Sequence, residues 1–441
     1  MLHCPFMCTG TGTAGLNRVF IYTNTVPQTT GSGAHLRLYS NVRAYLDLGF
    51  EAELVHIAAS PDNSVAGAGM EALRLTRDVA GPPSRSILGR IEYRAGMPGK
   101  LACLYYYGCH ATVCTQAKKR ARQYPGALHQ FEGDSHGNAI PFLGRLNAIW
   151  GSHEIGSDTV AAVQRISQEE DRRPASAAER RELLFARRFE RQIARRSKLV
   201  LCITERDREV MRSEWSCPQA EYLPMSAPDE DFLTQRQWLS GGRLSLVHVG
   251  ALGHLPTYRS LEFLLDCIFP SLSSSLLGRL SLRIVGRLDP DNPKCRRILD
   301  LASPYPQVEV LGYVEDLRQV YRESDVQVVL CNEGPGLRTR IIESLACGLP
   351  VLSSSTNVSG VPGLRNGENI ILADTPEEVA NALNLLSDAP RLEALARCGR
   401  QTYEAFHSRR VVAATLAECL SKYLSRRANP GIGTHGFAPR D

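Results

Sequence analysis

The sequence predicts an α/β chain of two Rossmann-like, doubly wound parallel-sheet domains with a cleft between them. Three observations carry this expectation. A length of 441 residues exceeds one ordinary core, at roughly 150 residues per domain. Apolar β-branched runs alternate with helical patterns in both halves. Between the halves lies "YLPMSAPDEDFLTQRQWLSGGR", whose prolines at 224 and 228 and Gly-Gly at 241 suit a connection.

Composition narrows the class. A hydrophobic content of 43% with 22% charged residues is that of a globular protein, and no uncharged apolar run reaches the roughly 18 residues that span a bilayer. The first residues, "MLHCPFMCTGTGTAG", lack both a basic stretch and a continuous apolar one, so the expectation is a cytoplasmic protein without a leader. Thirteen cysteines are scattered with no Cys-x-x-Cys pair, and His153-Glu154 is not followed by a second histidine at metalloprotease spacing. Neither a metal nor a cofactor is predicted. A net charge of +5 is small for this length and gives no reason to expect nucleic acid.

The elements follow in order. "RVFIYTNTVP" reads as a buried strand, then "QTTGSGAHLRLYSNVRAYLDLGF" as a Gly-rich turn and helix with Leu36, Val42 and Leu46 on one side and Gly49 at its end. "EAELVHIAA" is the next strand, so the glycines sit where a helix N-terminus meets an anion. Strand-like runs near residues 103–107 and 127–131 flank the helical "HATVCTQAKKRARQY", and a long helix from about residue 177 leads to the strand-like "SKLVLCIT". The second half repeats the grammar: strands "LSLVHVG", "LSLRIVG", "VEVLGYV", "DVQVVL" and "PVLSSS", with helices "TYRSLEFLLDCIFPSL", "DLRQVYRES" and "LRTRIIESLAC" between them. The predicted division is a first domain over 1–225, a linker over 226–243, a second domain over 244–405, a helix over 406–427 and a disordered tail over 428–441.

The stretch "GLRTRIIESLACGLPVLSSS" carries the chemistry. It follows "DVQVVL" through "CNEGPG", so its helix starts at the carboxyl edge of a sheet, where such folds bind ligands. Ile342, Leu345 and Ala346 share a face that packs, and Arg340 and Glu343, three apart, share another. Gly334 and Gly336 permit close approach to unpaired helix N–H groups, Arg340 adds a charged fork, and the acceptor-only Glu343 suits two ribose hydroxyls. Together these fit a nucleoside diphosphate; taken alone, Arg340 and Glu343 would read as an ordinary surface ion pair.

On "LVHVGALGHLPTYRSLEFLLDCIFPSL", "LRIVG", "VEVLGYVEDLRQVYRESDVQVVL" and above all "GLRTRIIESLACGLPVLSSSTNVSGV", the second half resembles the donor-binding domain of retaining glycosyltransferases of family 4, the glycosyl transferases group 1, with GT-B architecture. The first half matches more loosely through "TTGSGAHLRLYSNVRAYLDLGFEAELVHIA". The resemblance implies that Glu343 binds the donor ribose, that Arg340 lies near the diphosphate, and that Gly312, Tyr313 and Val314 line the nucleobase. It adds Glu333, Gly334, Gly336, Leu337, Arg338, Gly250 and Arg259 to the donor side, and Gly31, Ser32, Gly33 and His35 as the acceptor-side loop. Two positions depart from the pattern. The usual first glutamate, eight before the second, is Pro335, with Glu333 the nearest acid, and the usual arginine after Gly250 is Ala251. Arg259 and Arg338 are the helpers available to neutralise a diphosphate.

The same resemblance implies transfer on one face of the sugar, without a protein nucleophile, and a first-domain histidine touching the donor sugar. His153 and His129 are the candidates, with Asp134 and Glu132 as acids nearby. The expected partners are a nucleotide sugar and a glycan or lipid-linked acceptor. Ten basic residues lie between Arg172 and Lys198, and on a helical wheel Arg180, Arg187, Arg188, Arg191 and Arg195 oppose Ala186, Phe189 and Ile193. The arginine face over 180–198 suits either an anionic membrane surface or water, with Glu182 and Glu190 partly neutralising it. Two other functions stay open: a catalytically silent nucleotide-sugar-binding or partner subunit, and a nucleotide-sugar epimerase.

Overall fold

The computed structural model describes residues 17–28, 33–59, 67, 69–80, 87–95, 97, 100, 102, 110–144, 146–228, 236–331 and 337–428. The strand-like run at 103–107 and the tail from 429 onward lie outside these residues.

The first sheet has seven strands, all parallel: β1 (Arg18–Thr23), β2 (Glu51–Ala58), β3 (Arg74–Val79), β4 (Leu128–Glu132), β5 (Ala148–Ser152), β6 (Leu199–Cys202) and β7 (Ala220–Tyr222), in the order β3-β2-β1-β4-β5-β6-β7. Its helices are α1 (Gly33–Asp47), α2 (Ile87–Arg94), α3 (His110–Gln123), α4 (Gly133–Gly137), α5 (Gly156–Glu170), α6 (Ala177–Arg196) and α7 (Glu205–Ser213). The second sheet has six parallel strands: β8 (Leu244–Val249), β9 (Leu280–Val285), β10 (Val308–Gly312), β11 (Val326–Val329), β12 (Val351–Ser353) and β13 (Ile371–Leu372), in the order β10-β9-β8-β11-β12-β13. Its helices are α8 (Leu255–Glu262), which runs on through a π turn, α9 (Ser274–Leu277), α10 (Pro293–Ala302), α11 (Leu317–Arg322), α12 (Thr339–Ala346), α13 (Pro376–Leu385), α14 (Ala389–Phe406) and α15 (Arg409–Ala428). Both sheets reverse direction between their first and fourth strands, which opens a crevice at β1/β4 and another at β8/β11.

The central strands are buried on both faces, as parallel sheets require, and this is why they read as continuous apolar runs: β1 and β4 to β6 contain no exposed residue. Helix α6 starts with a reciprocal cap, in which Ser176 accepts the Glu179 N–H at 3.2 Å and Glu179 accepts the Ser176 N–H at 2.7 Å. It buries Phe185, Phe189, Ile193 and Ala194 and leaves Arg180, Arg187, Arg188, Arg191 and Arg195 exposed, the two faces expected. Glu190 corrects the expectation. It does not neutralise the basic face but is buried, because its carboxyl turns inward to the Ser157 N–H at 3.0 Å and to Asp134.

The two domains share one apolar cluster. Leu36, Ile203, Met225 and Ala227 of the first meet Val329, Ile341, Ile342, Leu345 and Tyr403 of the second. Buried Arg37 donates to the Leu223 and Pro224 carbonyls at 2.8 and 3.1 Å, and the Tyr403 hydroxyl donates to the Ala227 carbonyl at 2.9 Å, which ties the outgoing chain down. The chain then returns: Val412, Ala413, Leu416 and Leu420 of α15 pack with Leu38, Val42 and Tyr45 of α1.

Candidate active site

Helix α12 sits at the β8/β11 crevice because β11 ends just before it. Ile341, Ile342, Leu345 and Ala346 are buried, a face the apolar spacing specified. Arg340 Nη1 meets Glu343 Oε2 at 2.5 Å, but their side chains are only 16% and 6% exposed, so this is not the surface ion pair an isolated Arg-x-x-Glu suggests. Burial raises the Glu343 carboxyl and Arg340 offsets part of that rise. Burial also works against the Arg340 charge, yet Glu343 and Tyr321 of α11 hold the guanidinium above its ordinary value. The two residues therefore present a nearly neutral unit, with Arg340 turned into its own domain.

Arg338 takes the position at the domain boundary. It caps the start of α12 through its backbone, and its Nε donates to Asn357 Oδ1 at 3.1 Å. Its charge reaches Glu154 of the first domain, whose half-buried carboxyl is raised by burial and lowered in part by Thr159, His153 and Arg338. Beside it, the N-termini of α1 and α12 meet: a Cβ added at Gly33 would lie 2.9 Å from Thr339 Cγ2. A larger residue there would push the Thr339 side chain aside, so the two helix starts lie close together. Two helix N-termini with the same sign of dipole converge there, with Arg338 next to them.

Gly250 ends β8, its N–H donating to the Val285 carbonyl at 2.8 Å, and the following Ala251 is exposed at the strand's carboxyl end. Arg259 lies on α8 paired with Glu262 at 2.6 Å. Gly312 closes β10, followed by exposed Tyr313 and half-buried Val314, which packs with the cluster of Leu317, Val320 and Tyr321. Leu337 is half-buried against the shared apolar cluster, and His35 is half-buried on α1. Gly31, Ser32, Glu333, Gly334 and Gly336 lie outside the described residues.

The first domain contributes the ends of β4 and β5. His153 follows β5 and its Nε2 is 2.7 Å from Glu132 Oε2 at the end of β4. Asp134, one turn further, is pushed up to about 6 by burial and then by Glu154, and it hydrogen-bonds Glu190, which burial also raises. Two buried carboxyls in contact cannot both ionise, so this pair holds a proton. His129 does not belong to the site. It lies inside β4, bonded to the Tyr22 hydroxyl at 2.9 Å and stacked on that ring, because its position in the strand turns it into the core. The role of Arg338 as boundary cation, rather than helper, was not legible, since it depends on which way one helix start faces. The burial of Glu190 was signalled only by its place between Phe189 and Ile193. Among the described residues no three His, Cys, Asp or Glu side chains gather as metal ligands, and no helix is long and apolar enough to cross a membrane.

Comparison with known proteins agrees with the fold. Residues 243–388 match the family described as Glycosyl transferases group 1. A search of curated proteins finds no match. Among solved structures, sucrose-phosphate synthase from Thermosynechococcus elongatus aligns with a TM-score of 0.67 at 17% identity, over 92% of this chain and 99% of that one. HepE from Anabaena in complex with UDP-glucose aligns at 0.60 and 15%, over 92% and 99%. WaaG, a glycosyltransferase involved in lipopolysaccharide biosynthesis, aligns at 0.59 and 15%, over 91% and 98%. The chain has the GT-B glycosyltransferase fold, and its second domain carries the glycosyl transferases group 1 pattern.

Proposed function

We propose that this protein transfers a sugar, with retention and without a metal, from a nucleoside-diphosphate sugar to a glycan or lipid-linked acceptor. The observation that carries the proposal is the meeting of the α1 and α12 N-termini beside Arg338 at the β8/β11 crevice. This is a site for a dianionic leaving group. Charge on the diphosphate grows as the glycosidic bond breaks, so donors fixed in place there stabilise the transition state more than the bound donor. Helix ends and Arg338 would supply that charge in place of a divalent cation. Glu343, shared with Arg340, would take the ribose, and His153 would face the transferred sugar across the boundary. The solved complexes of the Anabaena relative HepE with UDP and UDP-glucose favour a uridine nucleotide as the first donor to try.

A lipid-linked acceptor would place the protein at the inner face of a membrane, held by the exposed arginines of α6. The direct test is release of nucleoside diphosphate from a panel of donors, with membrane extract as acceptor and chelator present. Donor-dependent release, with the anomeric configuration of the product equal to that of the donor by NMR, is the expected result. A second reading is a silent binding subunit, favoured by Ala251 and Pro335 in place of an arginine and a glutamate. Nucleotide binding without turnover of any donor would establish it and remove the first.

A further inference from the structure

Glu132 ends β4 at the β1/β4 crevice and is 3% exposed. A buried carboxylate must have its oxygens satisfied, and here each has a distinct partner. Oε1 accepts from Asn41 Nδ2 of α1 at 3.1 Å and from the neighbouring Gln130, while Oε2 takes His153 Nε2 at 2.7 Å. The reach to His153 crosses β5 at Gly151, where an added Cβ would lie 2.7 Å from both carboxylate oxygens. The missing side chain is what lets the pair form. The His153 ring is 28% exposed, and the next residue, Glu154, feels Arg338 of the other domain, so the imidazole stands at the boundary.

We propose that Glu132 is the positioning residue of His153: it holds the ring and fixes the Nε2–H tautomer, leaving Nδ1 to accept a hydrogen bond from a hydroxyl of the transferred sugar. An ionised carboxylate only accepts, so the hydrogen between the two must sit on Nε2. Nδ1 then lies toward the bare side of Gly133, 4.0 Å from where its Cβ would be. Burial alone would raise the Glu132 carboxyl, but His153, Gln130 and Arg37 outweigh it and hold the group below its usual range, which keeps the anion. The other titratable groups facing the pair are Tyr45 of α1, Asp134 and His136 of α4, and Glu154. This role rests on the proposed sugar transfer.

Glu132→Gln keeps the shape and an acceptor for Nε2 but removes the charge. In full-length protein labelled with ¹⁵N-histidine, and assigned with His153→Gln, the His153 ring nitrogens should report the Nε2–H tautomer in wild type and a mixture of the two tautomers in Glu132→Gln, since the Gln amide donates as well as accepts. In turnover, kcat should drop about 10- to 100-fold, the scale at which carboxylates that orient imidazoles act, with donor KM within about twofold. In a His153→Ala background the same change should add no further loss. An unchanged ¹⁵N tautomer signature, an unchanged kcat, or an equal additional loss without His153 would each overturn the proposal. Wild-type protein that turns over no donor would instead count against the transfer function, and the ¹⁵N tautomer signature would still decide whether Glu132 governs His153.

Discussion

Arg340 and Glu343 neutralise each other inside the second domain, so removing either leaves the other as an uncompensated buried charge. Glu343→Ala and Arg340→Ala should each destabilise by about 3 to 5 kcal/mol, whereas replacing both with apolar side chains of similar volume should cost far less, as measured by urea unfolding. Near-wild-type stability in both single variants would contradict a buried pair. Arg338→Ala should behave in the opposite way: a stability change under about 1 kcal/mol for a half-exposed side chain, but a kcat loss of about 100-fold as a charge on the leaving group disappears. Asp134 gives a pH signature. Its folded value of about 6 lies above the ordinary 3.8, so the folded state holds more protons between about pH 4 and 6 and stability falls as pH rises through that window. The contribution is fully present below pH 4. Unfolding free energies of wild type minus Asp134→Asn across pH 4 to 7 should show this slope; a flat difference would mean that burial does not raise the Asp134 carboxyl. The placement of Glu343 and Arg340 on a helix at a strand edge was legible because motif, strand edge and helix start coincide in the sequence. That Arg340 faces inward, and Arg338 outward, depends on Tyr321 and Asn357, which come from other elements.

At the scale of elements, α6 and α2 form one surface. Tyr93 of α2 packs edge-on to Phe185 of α6 with centroids 4.9 Å apart, and Arg188 donates to the Ala95 carbonyl at 3.5 Å. Ile87, Leu88 and Ile91 of α2 and Leu184 of α6 are exposed beside Arg187, Arg188 and Arg191. Exposed apolar side chains on one helix and exposed arginines on the helix packed against it are the composition of a surface that an anionic bilayer attracts. Liposome pelleting should require anionic lipid, weaken as salt screens charges beyond about 8 to 10 Å, and be lost when Arg187, Arg188 and Arg191 are reversed to glutamate. Arg195 is left out, since its Nε donates to the Trp215 carbonyl at 3.2 Å and reversal there would disturb the fold. Equal pelleting with neutral vesicles would remove the electrostatic attraction. The sequence disclosed α6 through its apolar spacing, but not α2, eight residues whose apolar side chains Ile87, Leu88 and Ile91 stay exposed. The same limit applies to strands. β1, β2, β8 and β9 are buried runs and were readable. β3, "RLTRDV", mixes charges into an outer strand, and β7 and β13 span three and two residues, too few for any periodicity.

At the scale of the molecule, the shared apolar cluster fixes how the domains can move. Leu36 and Met225 against Ile341 and Tyr403 form a dry contact, so closure over a donor should be a rotation about that contact rather than a separation. Saturating donor should compact the protein in small-angle scattering, and Tyr403→Ala, which also removes the hydrogen bond to Ala227, should broaden the range of shapes without donor. Equal scattering with and without donor would argue against closure. The return of α15 to the first domain has a different consequence, one of timing. Synthesis proceeds from the N-terminus, and domains ordinarily fold as they emerge. Here the apolar face of α1, with Leu38, Val42 and Tyr45, is covered by Val412, Leu416 and Leu420, which are made hundreds of residues later. The domain translated first is therefore completed last, and until then a nascent chain carries an open apolar face. A chain stopped after Phe406 would keep both sheets yet remain in that state, a client for chaperones rather than a finished protein.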